Sequence, residues 1–128
     1  MPSNLADQLR LVLVTDDALV SAGDLPARCV AAVRGGVTAV QVPFKQLAPH
    51  ALAETVRAVM AAVPVPVFVN DRLDVALAVG AAGVHLGPDD VPVAAARRIV
   101  PPGFLLGASV GSAGEARTAG DADYWGIG

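Results

Sequence analysis

The sequence predicts an α/β protein, a (β/α)8 barrel of the TIM type, with about six of its strands falling within these 128 residues. Three observations carry this expectation. Short runs of Val, Leu and Ile recur along the chain, separated by Ala-rich stretches of helical length. The composition is 54% hydrophobic but only 4% aromatic, as parallel strands buried on both faces require. Side chains capable of chemistry stand where the apolar runs end, and in a barrel those ends share one face.

The first strand is expected over residues 11–15, ending at Thr15-Asp16. A helix follows over 25–34, where Cys29 falls at helical spacing from Leu25 and Val33. A lone cysteine forms no intramolecular disulfide, and this spacing makes it a small core residue. Gly35-Gly36 stands where a left-handed helix end is wanted. The second strand, 38–42, carries Gln41 and hands over to Pro43 and Lys45. Over 49–63, Leu52, Val56, Val59 and Val63 mark one face of an amphipathic helix. A third strand at 65–69 leads into Asn70-Asp71-Arg72, then a helix over 72–79 closed by Gly80. The fourth strand, 83–86, contains His85 and precedes Asp89-Asp90 and a helix over 91–100 with Pro92 in its first turn. A fifth strand at 104–108 runs into Ser109, which is expected to head the helix at 113–119, and the sixth strand is 123–127.

Helices between successive strands imply right-handed parallel crossovers. The rival architecture is an open doubly wound sheet; no G-x-G-x-x-G turn follows the first strand, which counts against its dinucleotide-binding form. No linker or low-complexity segment divides residues 1–128, so a single, partial barrel domain is expected.

A net charge of −3 and a pI near 5.1 give no electrostatic footprint for nucleic acid or for an anionic membrane. The longest apolar stretch, 75–84, holds two glycines and falls far short of the ~20 residues of a membrane span. With no basic segment, apolar segment and cleavage site at the start, the expected location is cytoplasmic. The expected partner is a small molecule.

Each candidate residue has two readings. Asp71 is either a helix N-cap, with Asp74 three residues on, or a carboxylate ligand for a hard cation beside the neutral Asn70. Asp90 either caps the helix whose first turn holds Pro92 or converges with Asp71 on one metal. Lys45 would ordinarily be a solvated charge, yet here an apolar strand precedes it and Pro43 bends the chain. Ser109 either caps a helix or helps receive a phosphate at that helix's start. His85 reads as a hydrogen-bonded barrel residue, while His50 and Trp125 have no motif context.

Taken in order, these segments resemble the thiamine-phosphate synthase family and its relatives, the thiazole tautomerases. The matching segments are Leu13-Val14-Thr15-Asp16, Val40-Gln41 with Lys45, and Val69-Asn70-Asp71-Arg72-Leu73-Asp74. They continue with Gly83-Val84-His85-Leu86-Gly87, Asp90 before Pro92, Gly107-Ala108-Ser109 and Ala122-Asp123-Tyr124. The resemblance implies a transferase joining aminomethylpyrimidine diphosphate to thiazole phosphate, with Mg²⁺ and release of pyrophosphate. It implies Asp71 and Asp90 as metal ligands, with Gln41, Lys45, Asn70 and Ser109 holding the pyrimidine and the departing phosphates. Lys45 and Ser109 would be the catalytic groups.

The chain departs from that pattern in three places. Pro43 stands where the family has Arg, which predicts a weaker grip on diphosphate. Gly111 stands where it usually has His, which predicts absent or very weak tautomerase activity. The family's Pro-x-x-x-Thr-type loop and last two units, with the thiazole-phosphate site, have no counterpart after Gly128. The alternative function is a non-catalytic barrel relative that binds a phosphorylated ligand or serves as a structural subunit. Six strands do not close an eight-stranded barrel, so the chain is expected to be a fragment or to complete its barrel with other protein. Its two open edge strands are expected to self-associate, as a homo-oligomer or an aggregate.

Overall fold

The structure is a computed structural model and describes residues 4–128. Six strands form one sheet: β1 (Val12–Val14), β2 (Ala39–Val42), β3 (Val67–Asn70), β4 (Gly83–Leu86), β5 (Leu105–Val110) and β6 (Tyr124–Ile127). Every neighbouring pair is parallel, and the spatial order is β1-β2-β3-β4-β5-β6. A doubly wound sheet reverses its strand order at a switch point. This sheet never does, which decides between the two architectures in favour of the barrel.

Helices α2 (Leu25–Arg34), α3 (Pro49–Ala62), α4 (Leu73–Val79), α5 (Val93–Ile99) and α6 (Ala113–Thr118) fill the crossovers, after a short α1 (Leu5–Gln8). The element α1 was not expected from the sequence. It is one turn long and held by Asn4, whose side chain accepts from the Asp7 N–H at 2.8 Å. Elsewhere the expected segments are found with ends shifted by up to two residues. Gly80 ends α4 at φ 71°, and at the end of α2 it is Gly36, not Gly35, that takes the left-handed conformation, at φ 111°. Among the described residues no helix is long and apolar enough to cross a membrane.

Side chains alternate across a strand, so the sheet has two unlike faces. One presents Val40, Val42, Val67, Val69, Val84, Leu86 and Leu106 to the helices. These pack with Leu25, Cys29, Leu52, Val56, Val59 and Ala76 into one buried cluster. Burying each Val or Leu contributes about 1.5–3 kcal/mol relative to exposure. The opposite face carries Gln41, Phe68, Asn70, His85, Ser109 and Tyr124, as the pairing register requires. Phe68 and Tyr124 meet edge to face with ring centroids 5.8 Å apart, although β3 and β6 are three strands apart, roughly 14 Å in a flat sheet. This face is therefore concave. At the sheet's margins Val14 and Ile127 are 59% and 79% exposed.

Candidate active site

The charged residues come from the carboxyl ends of three adjacent strands. Lys45 follows β2, Asp71 follows β3 and Asp90 lies in the loop after β4. Lys45 Nζ stands 3.2 Å from Asp71 Oδ2, and the Asp90 carboxyl lies close enough to feel the charges of both Asp71 and Lys45. Asp90 is held above the ordinary carboxylate range, first by burial and then by the neighbouring Asp71 carboxyl. The Gly87 N–H and the Lys45 charge pull the other way. Beneath them, Gln41 is buried and its Nε2 donates to Asn70 Oδ1.

Neither aspartate caps a helix. The N-cap of α4 is Arg72, with no side-chain bond, and Asp74 is ion-paired to Arg72 at 2.8 Å rather than completing a capping box. Asp71 is the one non-glycine among the described residues with positive φ, at 64°. The Arg72 N–H reaches across it to Asn70 O at 2.7 Å, and its own N–H donates to His85 O at 2.9 Å. A residue at the centre of such a tight turn is strained, and here the strained residue carries the carboxylate facing Lys45. Asp90 bonds back into its own loop, Oδ2 accepting from the Gly87 N–H at 2.7 Å, while Pro92 occupies the N-cap of α5. A helix cap would leave both carboxylates turned toward α4 and α5.

Ser109 also departs from expectation. It lies inside β5 rather than at a helix start, and Ser112 is the residue that caps α6, accepting from the Glu115 N–H at 3.1 Å. The Ser109 Oγ instead lies 2.9 Å from His85 Nε2, and His85 Nδ1 lies 3.1 Å from the Tyr124 hydroxyl. The site thus has two parts: a charged cluster of Lys45, Asp71 and Asp90, and a neutral chain of Ser109, His85 and Tyr124. Sequence reading missed Tyr124, whose place depends on curvature. Its one local signal was Gly126, two residues on in the same strand.

Two hollows adjoin these parts. A cleft of about 310 Å³ between the ends of β1, β2 and β3 is lined by Thr15, Asp16, Pro43, Lys45 and Asn70. In it, Thr15 Oγ1 is a buried polar atom with no hydrogen-bond partner among the described residues. A hollow of about 420 Å³ opens beside Asp90 and Ser109, between α5 and α6.

Consecutive βα units in chain order, with polar side chains gathered at the carboxyl ends of the strands, define a (β/α)-barrel protein of the kind whose chemistry sits on that face. Residues 11–128 match the family described as thiamine monophosphate synthase, and the chain belongs to that family. It is 46% identical over 125 residues to the thiamine-phosphate synthase of Azorhizobium caulinodans, covering 94% of this chain and 59% of that protein. It is 48% identical over 105 residues to the thiamine-phosphate synthase of Albidiferax ferrireducens, covering 80% of this chain and 48% of that protein. Among solved structures, the thiamine phosphate pyrophosphorylase of Pyrococcus furiosus superposes with a TM-score of 0.84 at 37% identity, covering 98% of this chain and 62% of that one. The chain thus spans about half to three-fifths of the length of these curated relatives.

Proposed function

We propose that the chain binds a Mg²⁺–diphosphate group with Asp71, Asp90 and Lys45, as the diphosphate-holding part of a thiamine-phosphate synthase. The convergence of these three side chains from adjacent strand ends carries this reading. The reaction would join aminomethylpyrimidine to a thiazole phosphate and release pyrophosphate.

The residues fit the metal. Asp90 is held above its ordinary value by burial and by the neighbouring Asp71 carboxyl, a repulsion that a divalent cation between them would relieve. Mg²⁺ is bound by one or two carboxylates and completed by substrate phosphates, a donor set that Asp71 and Asp90 match. Held by Asp71 and Asp90, the ion would neutralise charge on the departing diphosphate.

This chain's own groups supply the rest. Lys45 places a positive charge where the leaving group gathers negative charge. The orphaned Thr15 hydroxyl in the adjoining cleft offers a further donor. With Gln41 Nε2 donating to Asn70, Gln41 Oε1 stays free to accept and Asn70 Nδ2 to donate, a pairing matched to the edge of an aminopyrimidine. Ser109 supplies a hydroxyl from β5.

Calorimetry with pyrophosphate, with and without Mg²⁺, tests the reading. Asp71→Asn and Asp90→Asn should each weaken Mg²⁺-dependent binding by roughly 10- to 100-fold, the scale of a charge-assisted contact. Binding equal to the parent would return both carboxylates to a structural role. Pro43 and Gly111, at the family's Arg and His positions, favour a second reading, a relative that binds the phosphorylated ligand without turnover. Binding with no product from both substrates and Mg²⁺ would support it.

A further inference from the structure

The neutral chain of Tyr124, His85 and Ser109 does something the charged cluster does not. Its three residues sit on β6, β4 and β5, and in register His85 pairs with Gly107, which pairs with Tyr124. The Tyr124 ring crosses over Gly107 to reach His85. Any Cβ at Gly107 would run into that ring, and one at Gly126 would come within 3.3 Å of His85 Cε1. Phe68 buttresses the ring edge to face from the far side. Two glycines and a phenylalanine thus hold the phenol against the imidazole.

The proton positions follow by elimination. Burial pushes the Tyr124 hydroxyl up to about 12, helped by the Asp123 charge, so it keeps its proton. Each ring nitrogen of His85 faces a hydroxyl and neither faces a carboxylate, Tyr124 on Nδ1 and Ser109 on Nε2, as suits a neutral imidazole with one proton. The Tyr124 O–H has His85 Nδ1 as its one side-chain acceptor among the described residues. When the Tyr124 O–H donates to Nδ1, that nitrogen is unprotonated, the ring proton lies on Nε2, and Ser109 Oγ accepts it. With its oxygen already accepting from His85, Ser109 has its own hydrogen left to donate outward. In the opposite tautomer Nε2 would take the Ser109 hydrogen, and the serine would show bare lone pairs to any phosphate oxygen.

We propose that Tyr124 is a positioning residue: it fixes His85 with the proton on Nε2 and so makes Ser109 a hydrogen-bond donor to an anionic ligand oxygen. The assignment of the ligand rests on the diphosphate reading above; the tautomer does not.

Nitrogen-15 ring shifts of the parent protein test the tautomer directly, with His50→Asn used to separate the two histidines. A single Nε2-protonated form is expected, and an Nδ1-protonated form would overturn the assignment. Tyr124→Phe keeps the ring on Phe68 and removes only the hydroxyl, so it should mix the tautomers; an unchanged tautomer would also overturn it. In Mg²⁺–pyrophosphate titrations, Tyr124→Phe and Ser109→Ala should each weaken binding about three- to tenfold. The double variant should lose no more than either single one. Multiplicative losses would show that the two residues act separately. If the parent binds no Mg²⁺–pyrophosphate, the diphosphate reading falls, and the ring shifts still decide the role of Tyr124.

Discussion

The same six strands present two faces built to different ends. Toward the helices stand Val40, Val69, Val84 and Leu106, dry and aliphatic, with no polar atom to satisfy. One residue along from the first three, toward the concave side, stand Gln41, Asn70 and His85, and three residues beyond Leu106 stands Ser109, each tied to a particular partner. The first face is held by area removed from water and tolerates exchange of like for like. The second is held by hydrogen-bond direction, so its members are few and specific. An apolar core and a hydrogen-bonded polar lining are thereby assigned to alternate residues of the same strands.

The sharpest way to break this comparison is to cut into the aliphatic face. Leu106 is fully buried, and Leu106→Ala should cost about 2–5 kcal/mol of unfolding free energy in urea melts. Ser109→Ala, on the concave face three residues away, should change stability by under about 0.5 kcal/mol. Equal costs would erase the division of labour. Next in size is Asp90. Its carboxyl is held high by burial and by Asp71, so its ionised form works against the fold. Asp90→Asn should raise the melting temperature of the ligand-free protein while lowering Mg²⁺–pyrophosphate affinity. A lower melting temperature would assign Asp90 a structural role.

A smaller effect belongs to pH. His85 binds its proton less readily folded than unfolded. Between its unfolded value of about 6.5 and its lower folded value, the unfolded chain therefore holds more protons. Its contribution to stability is complete above that window and declines as pH falls through it. Urea midpoints of the parent should drop on acidification from about pH 7, and those of His85→Gln should drop less. Parallel curves would mean that His85 is not held neutral by its surroundings. Smallest in stability is Ile127→Lys on the exposed margin of β6, expected to change folding by under about 0.5 kcal/mol. A charge there discourages strand pairing between molecules, so sedimentation should show less self-association than the parent. Unchanged association would place the contact elsewhere.

The aliphatic face was legible in the sequence because burial on both sides of a strand leaves continuous Val and Leu runs. Gly83–Leu86 and Leu25–Arg34 are found with the bounds expected. Strand β5 runs two residues beyond its apolar run, to Val110, because a ladder of backbone bonds, not hydrophobicity, defines where a strand stops. Ser109 looked like a helix cap for that reason. Asp71 and Asp90 looked like caps because an aspartate before a helix usually is one, and only backbone geometry separates the cases. Gln41, Asn70 and Lys45 were legible as strand-end residues. Tyr124 was not, since its partners lie one and two strands away from its nearest neighbour in the sheet.

The chain-order sequence of strands also bears on how the molecule is made. Each strand pairs with the one synthesised just before it. No strand must wait for a later segment to be inserted at its side, as the central strands of a doubly wound sheet do. Loops closed at each step are only one βα unit long, so the entropy of closure is met in small instalments. A nascent chain emerging N-terminus first therefore extends its sheet by one edge at a time, with the growing edge always the strand most recently released.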